Sequence, residues 1–230
     1  VGTGDCISPI DLGACEDFGI MARTTATCAG APDCVIVGGL GVSPGTSITG
    51  NFDFDRTTSA EVVACAAAAL AAFNAGTAKT GGTAMLAEMG GQTFGPGLYT
   101  AGSSINIALG NPTVYLDANG DEDAVFIFRA GSTLTTCAHS KIVLQGGAKA
   151  ENVFWVLGSA LTMGAGSHME GTVLATTAIT IGANGKICGR AIAQTAVTCE
   201  THCTVDSTAT PTSAPSSTPS SSPSAGPTSA

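Results

Sequence analysis

Nine cysteines, three histidines and a short acidic run are the residues of this chain best equipped for chemistry. The cysteines are Cys6, Cys15, Cys28, Cys34, Cys65, Cys137, Cys188, Cys199 and Cys203. No two are spaced C-x-x-C, the arrangement that lets neighbouring thiolates grip zinc, so no metal site is expected. Without a metal pattern, so many thiols read as disulfides formed in an oxidising, extracellular compartment. Their odd number leaves at least one free or paired between chains. His139, His168 and His202 have no Ser, Cys or Asp at a recognisable catalytic spacing and read as surface residues. Asp117-Ala118-Asn119-Gly120-Asp121-Glu122-Asp123 places oxygen donors at alternate positions, as hard cations require, but lacks the glycine spacing and closing Glu of a calcium loop. It reads as an acidic β-turn, with calcium as the alternative. The glycine-rich GGLGVSPG (38–45) is followed by no Lys and helix, so it is no phosphate loop. No catalytic residues and no cofactor are expected.

Composition narrows the choice further. Charged residues are 11% of the chain, against roughly 25% in ordinary domains. Solubility must therefore rest on Ser, Thr, Asn and Gly. The net charge is −9, with eight Lys plus Arg, which excludes the basic footprint of a nucleic-acid binder and attraction to anionic membranes. No run reads as apolar enough to span a membrane. No signal peptide is visible at Val1, and a mature secreted form is expected.

What must position any site is a repeat. Residues 160–177, ALTMGAGSHMEGTVLATT, are followed by AITIGANGKICGRAIAQT (178–195), and a third copy begins as AVTC (196–199). Earlier copies start at Ser104 and Thr133, and TTATC (24–28) matches TAVTC (195–199). Repetition at this scale, rich in β-branched residues and glycine, predicts a β-solenoid. Period-two alternation sends Ile105, Leu134, Leu161, Ile179, Val197 and Ala26 inward as one column. Two columns then point outward: Ser104, Thr133, Ala160, Ala178, Ala196 and Thr25, and Asn106, Thr135, Thr162, Thr180, Thr198 and Thr27. A basic column, Lys141, His168 and Lys186, follows, with apolar Ile142, Met169 and Ile187 next to it. Coils of this length suit a three-sided solenoid. One segment differs: Thr58-Ser59-Ala60-Glu61 fits a capping box, an alanine-rich helix follows over 59–75, and Gly76 is its expected stop. The VFIF and VFWV runs, with Phe126, Phe128, Phe154 and Trp155, read as buried strands. Residues 1–17 form an N-terminal extension, 18–206 the solenoid domain, and 207–230 a disordered Ser/Thr/Pro tail.

The order of these segments resembles the microbial ice-binding (antifreeze) proteins. GLGVSPGTSITG (39–50), LAEMGGQTFGPGLY (86–99) after an alanine-rich helix, LDANGDEDAVFIF (116–128), GSTLTT (131–136), NVFWVLGS (152–159), GTVLATTAIT (171–180) and GRAIAQTAVT (189–198) carry the resemblance. It implies a mainly β, right-handed, three-sided solenoid of discontinuous coil order, with one α-helix packed alongside and the last coil stacked beside the first. The repeat columns fit that stacking: Cys28 and Cys199 share a register, and a disulfide between them is a candidate pairing. The implied partner is the surface of an ice crystal, bound by a monomer that is not an enzyme. Contact would be made by one flat face through x-[Ala/Gly]-x-[Thr/Ser/Asn] strands. Here the candidates are Ala22 and Thr24, Ala101 and Ser103, Ala130 and Ser132, Ser159, Ala175 with Thr176 and Thr177, and Ala193 with Gln194 and Thr195. The column Thr162, Thr180 and Thr198 is the second choice. The alternative function is a secreted carbohydrate-binding or carbohydrate-active β-helix, or an adhesin.

Overall fold

All strand ladders among the described residues are parallel, because the chain returns to each position one coil later instead of reversing through hairpins. The computed structural model describes residues 8–30, 33–55, 58–108 and 110–208; residues 1–7 of the N-terminal extension, Cys6 among them, and nearly all of the Ser/Thr/Pro tail lie outside them. A seven-stranded sheet forms one wall of the solenoid, and a thirteen-stranded sheet wraps the other two. The strands His168–Ala175 and Lys186–Ala193 each run through the corner between those two walls. The corner is made by Gly171 and Gly189, both at positive φ, where a Cβ on Gly189 would run into the Gly171 carbonyl.

The coil order is discontinuous. Ile20–Ala22 pairs with Ala191–Ala193, Thr25–Cys28 with Ala196–Cys199, and 35–37 with Thr204–Asp206, so the first coil stacks on the last. Strands Ser47–Thr49 and Phe52–Asp55 extend the stack beyond the first coil. The helix then leads to the opposite end, where Thr83–Ala84 is the outermost strand, paired on Gly97–Ala101, and the remaining coils follow.

The core explains this stacking. Ile105, Leu134, Leu161, Ile179, Val197 and Ala26 follow one another in register and are fully buried. On the wall beneath the helix, the inward column runs Tyr99, Phe128, Trp155, Val173, Ala191, from large to small. The coils shorten with it: equivalent positions are 29 residues apart from Ile105 to Leu134 and 18 apart from Leu161 to Ile179. The solenoid therefore tapers, and stacked rings fill its wide end, with Phe128 and Trp155 centroids 4.5 Å apart. Phe126, Phe128, Phe154 and Trp155 are buried, as their apolar runs suggested.

The helix spans Ser59–Ala78. Its capping box is present: the Thr58 hydroxyl accepts from the Glu61 amide, and the Glu61 carboxylate accepts from the Thr58 amide at 2.6 Å. That amide bond, and then the Thr58 hydroxyl donating to the same carboxylate at 2.8 Å, hold the Glu61 carboxyl below the usual carboxylate range. Gly76 does not end the helix. It lies inside it, buried where a Cβ would come within 2.7 Å of Val156 Cγ2, so this glycine allows close packing on the wall. Arg129, reaching over from the solenoid, donates 2.7 Å hydrogen bonds to the Thr77 and Lys79 carbonyls and satisfies the true C-terminus. The helix is long and apolar enough by composition to cross a membrane, contrary to the sequence expectation. It is nevertheless fixed to the solenoid: Cys65, Ala69 and Ala72 pack on Met21, Phe154, Val156, Leu174 and Ile192.

Among the described residues, two disulfides reinforce the fold, Cys15–Cys65 and Cys28–Cys34. By loop-closure entropy the first contributes about 4 kcal/mol and the second about 2 kcal/mol. The expected Cys28–Cys199 bridge is corrected. The two do face each other in register, but Cys34, six residues on, takes the Cys28 sulfur. Cys199 instead contacts Cys203, which, together with burial, pushes its thiol pKa up.

Candidate functional site

The three walls present three different surfaces. One is covered by the helix. The outward residues Met21, Leu174 and Ile192 there are buried beneath it.

The second wall is the seven-stranded sheet. Its strands, Ser47–Thr49, Thr25–Cys28, Ala196–Cys199, Ile179–Ile181, Leu161–Met163, Leu134–Thr136 and Ile105–Ile107, contain no Asp, Glu, Lys, Arg or His. Its outward column reads, in register, Asn106, Thr135, Thr162, Thr180, Thr198, Thr27, Thr49. A parallel column includes Ala196, Thr25 and Ser47. Sheet geometry sets these groups about 4.8 Å apart between rungs and about 6.6 Å apart along a strand. Among the described residues, the hydroxyls of Thr135, Thr162, Thr180 and Thr198 have no protein partner and are left to water. At the wide end Glu88 borders the sheet, but its carboxylate is tied to the amides of Gly90 and Ala108 at 3.0 and 2.9 Å.

The first-choice candidates fall on the corner between these two walls and do not form a face. Ala22, Ala130, Ala175 and Ala193 are at most 2% exposed and point into the core, so they are corrected as surface residues. Each lies at the end of a strand where alternation turns it inward. Ala101 is half-buried against the same core. The hydroxyl members do reach the surface, along the edge: Thr24 donates to the Thr195 carbonyl at 2.9 Å, Thr176 to the Gly158 carbonyl at 2.5 Å, and Ser159 and Thr177 hydroxyls lie 3.3 Å apart. Ser103 is exposed and Ser132 half-buried on that edge, and Gln194 accepts from Arg23 at 3.3 Å. Thr162, Thr180 and Thr198, the second choice, sit mid-face. Asn106, Thr135, Thr27 and Thr49 complete their column. Thr49 was missed because the strand after the first coil has no partner in the repeat alignment.

The third wall carries charge. Lys141, His168 and Lys186 are in register as the repeat implied. His168 departs from expectation: it is half-buried, with Nε2 3.1 Å from Cys188 Sγ and 3.1 Å from Glu170 Oε1. The Cys188 contact first, and then Glu170, push its pKa up to about 9. The acidic run is the expected turn, with Asp117 and Asp121 accepting from the amides two residues on.

Comparison with known proteins agrees with this architecture. The ice-binding-like family pattern matches residues 20–205. Over 174 residues the chain is 35% identical to an ice-binding protein of Nostoc sp. (strain HG1), an alignment covering 73% of this chain and 62% of that relative's length. The crystal structure of an ice-binding protein from the Antarctic ascomycete Antarctomyces psychrotrophicus matches with a TM-score of 0.75 at 35% identity, covering 88% of this chain and 100% of that one. One from an Antarctic biological consortium matches at 0.78 and 32% identity, covering 88% and 93%.

Proposed function

The chain belongs to the ice-binding-like family, and we propose that it adsorbs to ice crystals through the uncharged threonine wall. The observation that carries this reading is the seven-rung column from Asn106 to Thr49, on a sheet without a single charged residue. Ice is a neutral lattice of water. A surface that binds it must arrange water in a fixed pattern without holding it too tightly. Each threonine offers a hydroxyl that hydrogen-bonds one water and a methyl that confines its neighbours. A carboxylate or ammonium would hold its own hydration shell against the lattice.

Each hydroxyl contact contributes only about 1 kcal/mol net, because liquid water competes for it. Affinity therefore rests on many contacts made at once by groups already in place. The rungs supply that rigidity: Leu161, Ile179 and Val197 lock the strands from behind. Adsorbed molecules force ice to grow as curved fronts between them, which lowers the freezing point and slows recrystallisation. The whole grid lies on one chain, so a monomer suffices. The two disulfides suit a protein that works outside the cell.

The test is thermal hysteresis with the full chain. Thr180→Tyr puts a bulky ring in the middle of the column and should remove most of the activity while far-UV circular dichroism stays unchanged. Full hysteresis in this variant refutes the assignment of the wall.

A further inference from the structure

We propose that His168, Glu170 and Cys188 form a binding site for a divalent transition-metal ion of the zinc class, on the charged wall of the solenoid. Glu170 and Cys188 are 18 residues apart and directly in register on adjacent rungs, and His168 lies two positions before Glu170, on the same face of its strand. The coil thus brings an imidazole, a carboxylate and a thiol together, with one ligand atom of each within 4.8 Å of the others. Nitrogen, oxygen and sulfur donors in this combination are those zinc accepts.

The geometry favours a metal over a catalytic relay. In a relay the imidazole uses one nitrogen for the nucleophile and the other for the carboxylate. Here the same atom, His168 Nε2, faces both Cys188 Sγ and Glu170 Oε1, at 3.1 Å each. Tetrahedral zinc sets such ligand atoms about 3.3–3.6 Å apart, so a small expansion admits the ion. A second observation points the same way. The Glu170 side chain is only 8% exposed, and its Oε2 is buried without a hydrogen-bond partner among the described residues. A buried carboxylate oxygen without a partner is costly, and a cation offsets that cost. His168 is the exposed member at 35%, so the fourth position opens to water on its side. Binding displaces the Cys188 thiol proton and any proton on the imidazole. Lys141 and Lys186 flank His168 on the neighbouring rungs and weaken the site, although their long stems let the ammonium groups turn to solvent. The other cysteine cluster, Cys34, Cys199 and Cys203, is a poorer candidate because the Cys34 sulfur is held in a disulfide.

The experiment is titration of the metal-stripped full chain with Co²⁺, read by thiolate-to-cobalt absorption, and with Zn²⁺, read by calorimetry. The expected result is one ion per chain. Affinity should fall by more than about 100-fold in His168→Ala and in Cys188→Ser, beyond the loss typical of a second-shell partner. It should persist in Cys199→Ser/Cys203→Ser and tighten in Lys186→Gln. A Zn²⁺-dependent rise in Tm, present in the parent and absent in Glu170→Gln, separates lost ligation from lost folding. Three results overturn the proposal: no thiolate band in the parent, binding retained in Cys188→Ser, or binding lost only in the Cys199/Cys203 variant.

Discussion

The threonine wall and the charged wall are built by the same coils, yet one is a uniform array and the other a set of individual contacts. On the threonine wall, in-register pairing multiplies one residue type: Thr162, Thr180, Thr198 and Thr27 repeat the same hydroxyl rung after rung. On the charged wall the same pairing juxtaposes unlike residues, Glu170 with Cys188 and His168 with Lys186. A solenoid thus makes a lattice where its repeat is strict and a discrete site where it is not. Adsorption to a crystal needs the first, and binding of a single ion needs the second.

Substitutions from the core outward should separate the two walls. Leu161→Ala beneath the threonine wall and Met169→Ala beneath the charged wall should each cost about 2–5 kcal/mol of stability, since both side chains are fully buried. Denaturant melts should find them similar. Hysteresis measured well below the melting transition should fall only for Leu161→Ala, and equal losses would mean that flatness of the threonine wall does not matter. A smaller effect is expected at the corner. Gly158→Ala drives a Cβ into the Gly131 carbonyl and should cost about 1–3 kcal/mol, whereas Gly102→Ala meets no atom within 4 Å and should be close to neutral in the same melts. A small stability effect is also expected for Thr162→Asp, within about 0.5 kcal/mol at this exposed position. Its charge should nonetheless lower hysteresis, while Lys186→Gln on the opposite wall leaves it unchanged.

Much of this contrast was legible in the sequence. The repeat placed Leu161, Ile179 and Val197 inward and Thr162, Thr180 and Thr198 outward, and the ladders pair them so. The capping box at Thr58 and Glu61 fixed the start of the helix, because such a start depends on neighbours in the chain. The misreadings arose where distant residues decide. Gly76 looks like a helix stop, but Val156 and Arg129, far along the chain, make it an interior packing point. The alanines of the x-[Ala/Gly]-x-[Thr/Ser/Asn] strands looked exposed because the motif does not mark where the corner turns them inward. Cys28 matched Cys199 in register, but nothing in the repeat marks Cys34, six residues on, as its partner. His168 seemed solitary because its partner Cys188 lies one coil away, a distance that spacing rules for catalytic or zinc motifs do not search.

The measurement that bears most directly on the central claim is thermal hysteresis of two matched variants, with fluorescence labelling of the ice. One is Thr162→Tyr/Thr180→Tyr on the threonine wall; the other is Lys141→Tyr on the charged wall. The first should no longer label or shape ice, while the second should behave as the parent. Retained ice labelling by the first variant, or its loss in the second, would contradict it.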